Sequence, residues 1–326
     1  MAKSNRGLMQ AIGGYFGLAD YEVGIFPHSN GVLLNTGRNA LEFILRSLGA
    51  IKRVYLPYYS CAVVLEPLNK LKIPWSFYHI DTHFEMCGGI QLKDGEYLIV
   101  NNYFGIKDAY INCLSKQNGS HLIVDCAQAF FYHPKPNIMS FYSPRKFVGV
   151  ADGGVAYLYN KEGITISEVE DTAHHDAHLY IRKNSGAEAG FQFYQDNEKK
   201  LDNQPIRRMS ETTEDILCHI DYDKVVSRRR ENYAYMHNAL GQKNLLDLPD
   251  MESFAAPMVY PFLTEDTTLR MRLIDNKVFV ATYWPNLKDW TSPGMLEYDL
   301  ADRLIPLPID HRYSFQDMDR VLSLIA

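Results

Sequence analysis

"YLIVNNYFGIKDAYINCLSKQNGSHLIVDCAQ", Tyr97–Gln128, holds two short apolar runs that each end in polar residues, with a helical stretch between them. Leu98–Val100 and Leu122–Val124 are continuous rather than alternating, which predicts strands buried on both faces. The sequence between them, from Asp108, predicts a helix. A strand–helix–strand unit of this kind belongs to a mostly parallel sheet covered on both sides. Asp125 then ends its strand at the carboxyl edge, where open α/β sheets place ligands.

The same alternation extends in both directions. "TGRNALEFILRSLGA" (36–50) carries a helical stripe of Leu41, Ile44, Leu45 and Leu48, closed by Gly49. "RVYLPY" (53–58) and "WSFYHID" (75–81) read as strands around "SCAVVLEPLNKL" (60–71), a helix weakened by Pro67. "IMSFYS" (138–143) and "GGVAYLYN" (153–160) add two more strands. From Gly163 to about Pro205 the pattern breaks into a polar stretch too long for a simple connection, expected to be functional, mobile or locally folded. A long helical segment is expected from Thr213 to about Leu240. After it come strand 256–263, helix 266–276, strands 278–284 and 304–309, and a closing helix 314–325. The expected organisation is a large α/β domain over residues 1–222 and a small α+β domain over 223–326.

The 326 residues suffice for a large core, and 46% hydrophobic with 22% charged residues is ordinary for a globular chain. A net charge of −6 argues against a nucleic-acid partner. No apolar run reaches the ~20 residues of a membrane span, and the first residues lack the apolar core of a signal peptide. A cytoplasmic enzyme or binding protein is expected. Cys61, Cys87, Cys113, Cys126 and Cys218 are odd in number and lack CxxC spacing, which predicts reduced thiols and no zinc site. "HHDAH", His174–His178, has histidines at i and i+4, but without a helical apolar pattern around it a solvated polar loop is the better reading than a metal site.

Three stretches converge on one chemistry. Thr36, Gly37, Arg38 and Asn39 open a helix after an extended segment, and free amides at the positive end of a helix dipole suit phosphate, although any helix also needs a cap. Asp125 offers a carboxylate at the sheet edge, with Gln128 three residues on; a helix cap is the plain alternative for Asp125. In "SFYSPRKFVGVADGG" (140–154), Lys146 follows an apolar strand and precedes a glycine-rich turn. A Schiff-base lysine, an aspartate for a pyridinium N–H and a helix start for phosphate are the elements of a pyridoxal 5'-phosphate site.

On these residues the sequence resembles the DegT/DnrJ/StrS sugar aminotransferases, of the aspartate-aminotransferase fold type, and the resemblance runs nearly the whole chain. "NTGRNALEFIL" is similar to the family's Ser-Gly-Thr-x-Ala-Leu helix start, and "YLPYYSC" to its Pro-x-Tyr-Thr segment. "NNYFGIKD" resembles the Leu-Tyr-Gly turn and "VDCAQAF" the Glu-Asp-x-Ala-Gln-Ala motif. "SFYSPRKFVGVADGGVAYL" looks like Ser-Phe-x-x-x-Lys followed by Gly-Glu-Gly-Gly. "RRMSETTEDIL" is similar to the Asn-x-Arg-Met segment, and "LIPLPIDHRYSFQDMDRVL" to the closing Leu-Pro-x-His motif.

The resemblance implies a seven-stranded-type sheet and a homodimer with sites at its interface. Lys146 would be the Schiff-base lysine, Asp125 the pyridine-nitrogen partner and Gln128 the neighbour of the phenolic oxygen. Phosphate would lie on the amides of Gly37 and Arg38 beside Thr36. The family serine position is Phe141, flanked by Ser140 and Ser143, of which Ser143 has the favoured spacing. Cys61 stands where an aromatic ring usually stacks on the cofactor, Ile206 replaces the asparagine of Asn-x-Arg-Met, and Asp152 replaces a glutamate. Arg207 or Arg208 is then expected to reach the phosphate in trans, with ordinary ion pairs as the alternative. The implied activity is transfer of an amino group from glutamate or glutamine to a nucleotide-linked keto sugar, in polysaccharide or amino-sugar biosynthesis. A transaminase of a small non-sugar ketone and a binding protein that has lost turnover are the alternatives. Dehydrating members replace the lysine by histidine, so Lys146 argues against that chemistry.

Overall fold

The computed structural model describes residues 10–20, 22–159, 164–171 and 176–325. The chain begins β1 (Ile12–Gly13), β2 (Val32–Leu34), α1 (Gly37–Ser47), β3 (Arg53–Pro57), α2 (Leu65–Lys70) and β4 (Trp75–Tyr78). It continues β5 (Glu96–Asn101), α3 (Asp108–Asn118), β6 (Leu122–Cys126), β7 (Met139–Tyr142) and β8 (Gly154–Tyr157). Then come α4 (Ala177–Ser185), α5 (Ala187–Lys200), α6 (Glu211–Cys218) and α7 (Tyr222–Leu240). The last part is β9 (Val259–Leu263), α8 (Leu269–Asp275), β10 (Val278–Phe279), α9 (Leu287–Trp290), α10 (Leu296–Arg303), β11 (Leu304–Pro308) and α11 (Phe315–Ser323).

Seven strands form one sheet in the order β2-β8-β7-β6-β5-β3-β4. Pairs from β7 through β4 are parallel, and β8 alone runs against its neighbours. The expected mostly parallel α/β fold is therefore present, and the continuous apolar runs have their reason. Ile99, Ile123, Met139 and Phe141 pack on the α1 side with Leu41, Ile44 and Leu45. Leu98, Val100, Leu122, Val124 and Tyr142 face the other side with Ile111 of α3 and Tyr233 of α7. Pro67 is tolerated because it falls in the first turn of α2, where its missing N–H has no helical partner to lose.

The chain passes from β3 outward to β4, then returns to place β5 on the other side of β3. That reversal opens a crevice at the carboxyl ends of β3 and β5, next to β6. Beyond the main sheet, β9 and β11 pair antiparallel, and β1 pairs parallel with β10. Strand pairing thus joins the start of the chain to its C-terminal third, across the proposed division at residues 222 and 223.

Two expectations change. The helix expected from Thr213 to Leu240 is two helices, because Asp221 leaves helical geometry and caps α7, accepting from Lys224 N at 3.0 Å. The strand expected over 278–284 is only Val278–Phe279. Within the polar stretch 163–205, where local folding is one expectation, α4 and α5 form a hairpin, and Glu198 of α5 pairs with Arg145.

Candidate active site

The site lies at the carboxyl ends of β5, β6 and β7. Asp125, the penultimate residue of β6, accepts from Ala127 N at 2.8 Å. Burial pushes its carboxyl above the ordinary range, against the opposing pull of the Lys146 ammonium and the Ala127 amide. Asn101 is its register partner on β5, so the two side chains share a face. Asn101 donates to Ser60 Oγ at 3.1 Å, while its own Oδ1 is buried without a partner. Gln128 accepts from Phe104 N at 3.0 Å, and its Nε2 is likewise buried and unpartnered.

Lys146 closes a short 3-10 turn, Pro144–Lys146, directly after β7. It lines a cavity of about 740 Å³ with Ser143, Arg145, Tyr194, Glu198 and Tyr283. The glycine-rich turn beyond it is shaped by close backbone approach. A Cβ on Gly149 would lie 1.7 Å from Gly17 O, and one on Gly154 would lie 2.2 Å from Thr36 O. Asp152 anchors the turn to α6, accepting from Ser210 N at 2.9 Å and from the Ser210 and Thr213 hydroxyls.

The helix start is where the sequence puts it. Thr36 caps α1, its Oγ1 accepting from Asn39 N at 3.0 Å. Gly37 faces Ser143, whose Cβ would lie 3.5 Å from a Cβ added at the glycine. The Arg38 side chain turns away to Asp202 at 2.6 Å and Glu66 at 3.7 Å, leaving its amide to the helix start. Ser140 points to the opposite place: it sits in β7, fully buried, with its hydroxyl 3.4 Å from Tyr142 Oη. Of the two serines, only Ser143 stands beside the helix start and the cavity.

Cys61 is half-buried just after β3, where Asn286 bridges Ala62 N (3.2 Å) and Ser60 O (3.0 Å). Tyr283 lines the cavity with Lys146, and its phenol is raised by burial, then by Tyr194 and Cys61. Nothing in the sequence spacing marks it. Arg207 is occupied within its own chain, by Glu168 and Glu170 at 3.3 Å each and by Gln204 at 3.2 Å. The ion-pair alternative therefore describes Arg207, and a role in trans would require breaking these contacts. Arg208 is more open, with its side chain 54% exposed and Glu214 at 4.0 Å. Ile206 packs on the α1 side of the sheet, where an aliphatic residue fits.

His174 and His175 lie outside the described residues. His178 corrects the loop reading: it is buried on α4, 5.8 Å from the Tyr194 ring, and lines the cavity. Among the described residues no group of three or more His, Cys, Asp or Glu side chains is placed to hold a metal ion.

No protein-family model matches the sequence, and no curated protein matches it. Solved structures do. DesV of S. venezuelae, in complex with a ketimine intermediate, is 15% identical with a TM-score of 0.64, covering 94% of this chain and 90% of that one. A DegT DnrJ EryC1 StrS aminotransferase from Brucella abortus is 16% identical with a TM-score of 0.58, covering 90% and 84%. DesI, determined in the presence of its TDP-sugar product, is 14% identical with a TM-score of 0.59, covering 90% and 79%. The chain has the fold of these proteins.

Proposed function

We propose that this protein is a pyridoxal 5'-phosphate-dependent aminotransferase that moves an amino group from glutamate or glutamine to a nucleotide-linked keto sugar. The observation that supports the reading is Asp125 at the carboxyl end of β6 and Lys146 in the turn that follows β7, the parallel neighbour of β6. The residues present fit the cofactor. Gln128 keeps a buried, unpartnered N–H, the donor a phenolic oxygen needs. A Cβ on Gly37 would meet Ser143 at ordinary contact distance, so the start of α1 and Ser143 are neighbours, the pairing that would suit phosphate at a helix N-terminus.

When bound, the cofactor supplies an electron sink for the carbanion of an amine substrate. Asp125 would pair with the pyridine N–H, Gln128 Nε2 would donate to the phenolic oxygen, and the amides of Gly37 and Arg38 with the Ser143 hydroxyl would hold phosphate, the α1 dipole adding to them. Lys146, in the turn after β7, would hold the cofactor through its amine and carry a proton to and from the donor's α-carbon. Tyr283, which lines the cavity with Lys146, would be the aromatic side chain available to the cofactor where Cys61 offers none.

DesI, determined in the presence of its TDP-sugar product, supports a nucleotide sugar as acceptor. Among the described residues no helix is long and apolar enough to cross a membrane. A cytoplasmic homodimer, with Arg208 the better candidate to act across the interface, completes the proposal. The reading is tested by loading the protein with pyridoxamine phosphate and adding a panel of nucleotide-linked keto sugars. Return of the aldehyde form's absorbance with one of them is expected; small ketones reacting while every sugar fails would move the acceptor class.

A further inference from the structure

We propose that Arg145 binds the α-carboxylate of the amino donor, and that Glu198 of α5 holds its guanidinium until the donor arrives. This rests on the aminotransferase reading and adds the site that recognises the donor. Arg145 directly precedes Lys146 in the same turn and lines the same cavity. Its Nη2 donates to Glu198, with the two side chains 16% and 37% exposed, and its Nε is buried without a partner. Burial alone would raise the Glu198 carboxyl, yet Arg145, then Arg38 and Lys146, hold it below the ordinary range. One carboxylate therefore already answers to both the Arg145 guanidinium and the Lys146 ammonium. A donor whose nitrogen meets Lys146 needs its carboxylate in the same neighbourhood.

The cavity gives that carboxylate few other places to go. Its walls include Val148, Val150, Phe279 and Val280, and a charge desolvated there requires a partner. The other arginines lining the cavity bond backbone carbonyls, Arg229 to Met258 O at 2.9 Å and Pro257 O at 3.3 Å and Arg182 to Gly13 O at 2.8 Å; each keeps one buried nitrogen unpartnered, but neither adjoins Lys146 in its turn as Arg145 does. Glu198 can release Arg145 without moving its helix, because α5 is fastened independently. Asn197 donates to Ala151 O at 3.1 Å, and Asp202 near the end of α5 holds Arg38 at 2.6 Å. When the oxo acid leaves, Glu198 pairs again with Arg145. The ketone substrate, which has no carboxylate at that position, then meets no unpaired buried cation.

The test is calorimetric titration of the cofactor-loaded protein with glutarate, which has carboxylates and no amine and so cannot react. Arg145→Gln should weaken glutarate about tenfold or more, the loss of a charge-assisted fork. Glu198→Gln removes the competing carboxylate and should tighten glutarate several-fold. Opposite signs are the signature. A purely structural ion pair weakens or spares glutarate in both variants and overturns the proposal, as does a wild-type protein that binds no glutarate. Loss of cofactor affinity in Arg145→Gln, read by absorbance titration, assigns the guanidinium to phosphate and also overturns it. If Arg145→Gln does not fold, Arg145→Lys keeps the charge without the fork and should still weaken glutarate. Glutarate binding needs no turnover, so the two readings fail separately. A wild type that takes no cofactor sinks the aminotransferase reading; one that converts with glutamate while the variants do not split sinks only the Arg145 assignment.

Discussion

Gly154→Ala perturbs the phosphate cradle without touching any side chain in it. The new Cβ would lie 2.2 Å from Thr36 O, 2.4 Å from Thr36 C and 2.7 Å from Gly37 N, all backbone atoms that no rotamer change can clear. Restoring even a tight 3.4 Å contact requires β8 and the start of α1 to separate by about 1.2 Å. Overpacking of this kind costs about 1–3 kcal/mol. Where the strain is relieved by shifting the Gly37 amide, the same energy appears as roughly 5- to 150-fold weaker cofactor binding. Gly89→Ala is the control, since a Cβ there meets nothing within 4 Å. The assay is absorbance titration of each cofactor-free protein with pyridoxal phosphate, alongside thermal unfolding without cofactor. A folded Gly154→Ala protein that binds cofactor as tightly as wild type would refute the placement of phosphate at the start of α1.

Borohydride reduction of the cofactor-loaded protein, followed by peptide mapping, should fix the label on Lys146; a label on another lysine sinks the assignment. Asp125→Asn keeps the acceptor for Ala127 N and removes a desolvated charge, so the cofactor-free protein should unfold at a higher temperature. Turnover should nevertheless fall on the order of 10²-fold, as when other preorganised electrostatic partners are lost, and a wild-type rate would reduce Asp125 to a cap. His28 is buried with Nε2 donating to Phe130 O at 2.6 Å, and burial lowers its pKa from 6.5 to about 4. The unfolded chain then binds the proton more tightly, so stability is full above pH 6.5 and is lost as pH falls toward 4, by about 3 kcal/mol. His28→Gln should flatten that limb of a denaturant-midpoint titration, and an unchanged acid slope would contradict the buried neutral ring.

Sequence legibility followed the strength of the physical signal. Leu98–Val100 and Leu122–Val124 announce a two-faced sheet because every residue in them is buried, so no other pattern competes. Asp125 and Lys146 were visible because polar residues at the ends of such strands have nowhere to point except the sheet edge. The α4–α5 hairpin was not visible as helix: it covers a cavity mouth, so Phe191, Phe193 and Tyr180 remain about half exposed and no clean apolar stripe forms. β1 is two residues long and exists only through pairing with β10, far away in sequence. Spacing already favours Ser143 over Ser140, and the alternation of β7 accords with it by turning Ser140 inward with Tyr142. Tyr283 and Glu198 reach the site through tertiary packing, and no local spacing marks either.

The measurement that bears most directly on the account is the spectrum of the cofactor-loaded protein through one full cycle. Adding glutamate or glutamine alone should abolish the long-wavelength band of the aldehyde form, and a nucleotide-linked keto sugar should then restore it. A protein that carries the cofactor on Lys146 yet shows no spectral change with any amino donor would contradict the account, and would leave a binding protein on an aminotransferase fold.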